Sequence, residues 1–212
     1  MKLYLYDLDK TLIKEDSAKL WADFIYEKGL VGAEFVAAQE AYEDDYANGV
    51  LDMDEYQKHF LAPIKGKTKQ DIKPLLSEFV DKKIKGIVYD DAIKLVNSNA
   101  GKKIVISATN DFIVQAVCEF LHIDEFLATD SQIQGGVYTG NIDGIAAFRD
   151  GKVKKIKSYV SKDEFENATF YSDSINDLPL LKAVKIGVLV NPDKLLLEEN
   201  EKLKFDILRF EK

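Results

Sequence analysis

Two carboxylates stand two residues apart in Asp7-Leu8-Asp9-Lys10-Thr11, directly after the apolar and aromatic stretch that ends at Tyr6. In an extended segment residues i and i+2 leave the same face, so Asp7 and Asp9 are expected to share one site. Two more follow in Ser172-Asp173-Ser174-Ile175-Asn176-Asp177, and a hydroxyl and a lysine lie between the clusters at Ser107 and Lys152. Crowded carboxylates raise one another's pKa unless a cation neutralises them. All-oxygen donors without cysteine or histidine favour a hard ion, Mg²⁺ foremost. A carboxylate nucleophile, a second carboxyl for proton transfer, a divalent ion, a hydroxyl and a lysine together suit phosphoryl transfer through an aspartyl-phosphate.

The elements around these residues account for their meeting. The first residues read as a short buried strand ending at Asp7. Further strands are expected over Lys103 to Ser107, Phe126 to Thr129, Thr169 to Ser172 and Ile186 to Val190, with Phe205 to Leu208 as a last edge strand. Helices fit Asp90 to Asn99, Asp111 to Leu121, Gly151 to Val160 and Asp177 to Ala183, and Gly135-Gly136 turns a hairpin over Ile133 to Ile142. This alternation predicts an α/β fold with a doubly wound parallel sheet, in which ligands gather beyond the carboxyl ends of the strands. The loops bearing Asp7, Ser107 and Asp173 then open into one crevice.

Between Lys14 and Lys85 the pattern is helical, with four helices expected. Ser17 caps the first, which stops at Gly29; the second runs from Ala33 to Asn48; Asp52 caps the third, and Thr68 with Asp71 forms a capping pair for the fourth. The expected organisation is a core of residues 1–13 and 86–212 interrupted by a helical insertion over 14–85.

Composition narrows the partners. The chain has 212 residues, 46% of them apolar and 31% charged, enough to bury roughly 70% of its unfolded surface without disulfide or metal staples. The net charge of -8 opposes non-specific attraction to nucleic acid or to an anionic membrane. A carboxylate at position 7 interrupts any leader core, and no run approaches the ~18 apolar residues of a span. A cytoplasmic protein is expected, with the lone Cys118 an inert core thiol and His59 and His122 in surface or core positions. Lys65-Gly66-Lys67-Thr68 lacks the leading glycine and preceding strand of a nucleotide-binding loop.

With these residues in place, the sequence resembles the haloacid dehalogenase superfamily of phosphohydrolases. Asp7-Leu8-Asp9-Lys10-Thr11-Leu12 is similar to motif I, Ile104-Val105-Ile106-Ser107 to motif II, Lys152 in Gly151-Lys152-Val153 to motif III, and Ser172 to Asp177 to motif IV. Ser107-Ala108-Thr109-Asn110, Tyr138-Thr139-Gly140, Phe148-Arg149-Asp150-Gly151 and Val190-Asn191-Pro192-Asp193 resemble the phosphoserine-phosphatase-like subfamily IB. The resemblance implies a Rossmann-like core, a helical cap over residues 14–85, and Mg²⁺-dependent hydrolysis of a small phosphorylated metabolite. It makes Asp7 the nucleophile and a metal ligand. Asp9 becomes the acid and base, lending its main-chain carbonyl to the ion, and Asp173 completes the protein ligands. Ser107, with backbone N–H groups near Ala108, holds phosphate, and Lys152 offsets charge. Asn176 and Asp177 orient the metal shell, and Asp16 grips a substrate amine.

Some positions carry a plainer reading as well. Thr109 reads as a cap for the following helix, and Asp177 as a cap for the helix carrying Leu178, Leu180 and Leu181. Trp21, Phe24, Tyr42, Tyr46 and Tyr56 fit either cap core or a pocket for an aminated phosphomonoester such as histidinol phosphate. The only arginines are Arg149 and Arg209, outside the insertion, so the two-pronged grip on a substrate carboxylate is missing there. The alternatives are a phosphotransferase or mutase using the same aspartyl-phosphate, or a receiver-type signalling module. Oligomeric state is not legible.

Overall fold

A computed structural model describes residues 2–211. Among them are eight strands and ten α-helices: β1 (Leu3–Tyr6), α1 (Ser17–Glu27), α2 (Ala33–Ala47), α3 (Met53–Leu61), α4 (Lys69–Phe79), α5 (Asp90–Ser98), β2 (Lys102–Asn110), α6 (Asp111–Leu121), β3 (Glu125–Thr129), β4 (Ser131–Gln134), β5 (Val137–Ile142), α7 (Asp150–Tyr159), α8 (Lys162–Glu166), β6 (Thr169–Ser172), α9 (Leu178–Ala183), β7 (Ile186–Val190), α10 (Lys194–Leu203) and β8 (Asp206–Leu208).

Six strands form a parallel sheet in the order β3-β2-β1-β6-β7-β8, and β4 and β5 make a separate antiparallel hairpin. The chain winds outward from β1 through β2 to β3, then returns to β1's other side with β6. The carboxyl end of β1, which leads into Asp7, therefore lies where the winding reverses, the place where such sheets bind ligands. Alternation along the strands divides the core. Leu3, Leu5, Ile104, Ile106, Phe170 and Leu189 pack with Ile156, Leu180 and Leu196 on one face. Tyr6, Val105, Tyr171 and Val188 pack with Val114 and Val117 on the other.

Helices α1 to α4 lie between β1 and α5, and the chain enters and leaves them along paired linkers: Lys14 N donates to Ile87 O at 2.8 Å and Tyr89 N to Leu12 O at 3.1 Å. Their apolar side chains join the core of the sheet. Trp21 is fully buried, edge-on to Phe79 at 5.3 Å and to Phe112 of α6 at 5.6 Å. Asp52 and the Thr68–Asp71 box cap α3 and α4 as expected. Ser17 does not cap α1: the Asp16 carboxylate accepts from Ala18 N and Lys19 N, and a charged acceptor suits the positive end of a helix better than a hydroxyl. Helices α8 and α10 have no counterpart in the sequence expectations; Ser161 and Asp193 cap them.

Cys118 is buried, and burial pushes its thiol up to about 12, in keeping with an inert core residue. No helix among the described residues is long and apolar enough to cross a membrane.

Candidate active site

The β1 ladder carries Asp7 into position. Tyr6 pairs with Val105 and Tyr171, and Asp7 N donates to Tyr171 O at 2.9 Å, so the carboxylate emerges at the sheet's carboxyl edge. There it meets Lys152, from the first turn of α7. Lys152 Nζ donates to Asp7 Oδ1 at 2.6 Å and to Asp177 Oδ2 at 2.7 Å, and Ser172 Oγ donates to the same Asp177 oxygen at 2.7 Å. The lysine is 1% exposed, so this is no solvated surface lysine. Gly151 makes the approach possible, because a Cβ there would collide with the Ala146 carbonyl.

Burial pushes Asp7 up to about 7; Lys152 opposes this, while Asp177 and Asp9 add to it. Burial works against the Lys152 ammonium, yet Asp177 and Asp7 more than restore its charge. Burial, then the charges of Asp7 and Asp177, drives Asp173 well above the carboxylate range, with Lys10 and the Thr11 hydroxyl opposing. Thr11 Oγ1 donates to Asp173 Oδ1 at 3.1 Å. Asp7, Asp173 and Asp177 thus face a single fully buried ammonium, an imbalance that a hard cation would correct.

Asp9 turns the other way. Its Oδ1 accepts from Ser17 N at 2.6 Å, and its Oδ2 from Thr109 Oγ1 at 2.9 Å and Ser107 Oγ at 3.4 Å. Burial, with the nearby charge of Asp16, pushes Asp9 up to about 6, while the bonds from Ser17 and Thr109 pull it down. No three His, Cys, Asp or Glu side chains converge as a metal cage among the described residues.

Asp7, Asp9, Asp16, Ser107, Ala108, Asp173 and Asn176 line one cavity of about 320 Å³, with Lys152 and Asp177 behind Asp7. Pairing of β2 with β3 breaks between Ile106 and Asn110, and in that gap Ser107, Ala108 and Thr109 reach the cavity. The side chain of Asn176 joins a seam to the helical block: its Oδ1 accepts from Arg149 Nε at 3.0 Å, and its Nδ2 donates to Tyr46 O at 3.0 Å. Arg149 also donates to Gly49 O at 2.5 Å, so its guanidinium fork is engaged beyond the end of α2.

Two expectations change. Thr109 does not cap α6, whose N-cap is Asn110; its hydroxyl binds Asp9 instead. Asp177 makes no capping bond to α9, because Lys152 and Ser172 claim its side chain. The aromatic stripe divides: Trp21 and Phe24 are core, whereas Tyr42, Tyr46 and Tyr56 line the cavity. Sequence reasoning gave no individual role to Thr11, Gln39 or Glu43. The threonine two places after Asp9 was the signal for the first, and the i, i+4 spacing on one face of α2 for the others.

The family model of the haloacid dehalogenase-like hydrolases matches residues 4–182. A histidinol-phosphatase of Neisseria meningitidis is 36% identical over 218 residues, covering 98% of each chain. A Bordetella pertussis protein of unknown function superposes with a TM-score of 0.88 at 28% identity, covering 98% of this chain and 97% of its own. A substrate-bound phosphoserine phosphatase shares the fold, with a TM-score of 0.65 at 20% identity over 100% of this chain and 93% of the other.

Proposed function

Since the chain belongs to the haloacid dehalogenase-like hydrolases and is a phosphatase, we propose that it hydrolyses a small aminated phosphomonoester, histidinol phosphate foremost, through a phosphoryl group carried on Asp7. The observation that carries this reading is the buried Asp7–Lys152–Asp177 chain set beside Asp9 at the mouth of the sheet.

A carboxylate oxygen of Asp7 attacks phosphorus, forming an O–P bond as the ester P–O bond breaks. Asp9, whose carboxyl burial raises to about 6, gives its proton to the departing alkoxide. A water then attacks phosphorus, Asp9 takes its proton, and the Asp7–phosphorus bond breaks, leaving inorganic phosphate and the alcohol. Bonds from Ser17 and Thr109 hold the Asp9 carboxyl through both transfers. Ser107 and the main chain near Ala108 face the phosphoryl oxygens, and Lys152 counters the charge on Asp7.

Mg²⁺ fits the imbalance of charge; Asp7, Asp173 and the Asp9 main-chain carbonyl would hold it, and it would offset phosphate charge during transfer. Thr11 steadies Asp173, and Asp177 steadies Lys152. Helices α1 to α4 form the cap of this reading, with α2 roofing the cavity. Asp16 lines the cavity with one carboxylate oxygen committed to the α1 N-terminus.

Phosphate release from histidinol phosphate, phosphoserine and glycerol 3-phosphate, with Mg²⁺ or with chelator and with or without added alcohols, tests the reading. Chelator-sensitive release, fastest from histidinol phosphate and undiminished by alcohol, is expected. Transfer to alcohol in place of release would point to a phosphotransferase.

A further inference from the structure

Helix α2 presents Gln39, Tyr42, Glu43 and Tyr46 to the cavity from one side, as their three- and four-residue spacing requires. Gln39 is 2% exposed and is the helix's one buried residue, yet its Oε1 has no hydrogen-bond partner. The Oε1 of Glu43, one turn on, is also buried and unpartnered. Buried acceptors without donors are costly, so a pair lining a ligand cavity calls for a ligand that donates to both.

Charge narrows the ligand further. Asp16 lines the same cavity, and its charge acts on Glu43. Burial and then Asp16 push the Glu43 carboxyl up to about 7, against the charge of Lys19, the side-chain bond from Gln39 and the charge of Lys10; the Oε1 of each residue stays unpartnered. Tyr42 and Tyr56, whose rings meet at 5.6 Å, add aromatic surface beside these acceptors. Among the described residues, no arginine lines the cavity. Lys10 and Lys194 also line the cavity, but the two unpartnered oxygens, the two acidic side chains and the aromatic faces complement an N–H-bearing cation and leave a substrate carboxylate without a bidentate partner.

We infer that Gln39 and Glu43 form, with Asp16, a specificity subsite for the cationic end of the substrate, an ammonium or imidazolium that donates N–H bonds to both orphan oxygens. This deepens the phosphatase reading and rests on it. Asp16 was already expected to meet an amine; the helix α2 pair is the new element, and it explains why the roof of the cavity keeps two buried acceptors idle.

The test compares kcat/KM for histidinol phosphate and O-phosphoethanolamine with that for glycerol 3-phosphate in the wild type and in E43Q, E43D and Q39L. E43Q lowers the cation-to-neutral ratio about tenfold, mainly through KM, E43D keeps most of it, and Q39L lowers it in the same direction. A ratio unchanged in E43Q, or an equal fall for all three substrates, overturns the assignment. Calorimetric binding of histidinol, which carries no phosphate, separates this inference from the reading it rests on. Absence of hydrolysis of any phosphomonoester by the wild type would end the phosphatase reading. The subsite would stand if E43Q still weakened histidinol binding about tenfold, and would fall if binding were equal or absent.

Discussion

At the floor of the cleft, Lys152 is sealed from solvent and bonded to two carboxylates; at the roof, Gln39 is almost as buried and its Oε1 bonds to nothing. The floor grows from strand ends with ladder partners on both sides; Thr11, Ser17, Thr109 and Ser172 each donate to one of its carboxylates, and Lys152 donates to two. The roof is a fifteen-residue helix with one buried residue and no side-chain N-cap bond. On the proposed reading, the floor side chains that would carry phosphoryl transfer are tied by several bonds in advance, with Asp177 Oδ1 the unpartnered exception, whereas two oxygens of the roof are left as open acceptors. In the proposed reading the floor sets the reaction, and the roof sets the molecule on which it acts.

Perturbing the floor should have the larger consequences. Asp7→Asn keeps the bond geometry but removes the attacking charge; turnover is expected to fall at least about a thousandfold, ~4 kcal/mol of barrier, while circular dichroism is unchanged. Retained turnover would place the chemistry elsewhere. Lys152→Met strands Asp7 and Asp177 without their cation, and chemical denaturation should show a loss of about 3–5 kcal/mol. A loss below ~1 kcal/mol would show the floor to be as loosely tied as the roof.

The seam between the two regions comes next. Arg149 bridges Gly49 O and Asn176, and Asn176 holds Tyr46 O at the end of α2. Both Arg149→Ala and Arg149→Lys should lower kcat/KM about tenfold, since an ammonium cannot reproduce the guanidinium fork. Full activity in the lysine variant would mean that charge alone is needed there.

The smallest effect belongs to the roof. The Glu43 carboxyl is raised from 4.5 to about 7, so the fold favours its protonated form. The stability from this preference is present below the unfolded value of 4.5 and is lost as pH climbs through about 7. Glu43→Gln should therefore melt higher than the wild type at pH 8, by about 2 °C, with the gap closing towards pH 4. A gap that is constant with pH would assign the effect to something other than this carboxyl.

The same contrast explains what could be read in the residues themselves. Asp7, Asp9 and the Ser172–Asp177 loop stood out because strand periodicity and carboxylate spacing are local properties. The parallel sheet followed from the alternation of elements after Gly86, and its order places β1 centrally between β2 and β6. Thr109 was misread as a helix cap because its partner lies 100 residues away. Ser17 illustrates a local competition that its neighbour wins, and α10 was missed although Asn191-Pro192-Asp193 carries a cap signal. Gln39 and Glu43 escaped notice because α2 has no apolar stripe to show which face turns inward.

The most direct test is acid quenching during turnover, followed by mass analysis of the peptide spanning Asp7 and Asp9. The peptide should carry one added phosphoryl group, on Asp7, that disappears when the reaction runs to completion. An unmodified peptide throughout turnover, or a phosphoryl group trapped on another residue, would contradict the account.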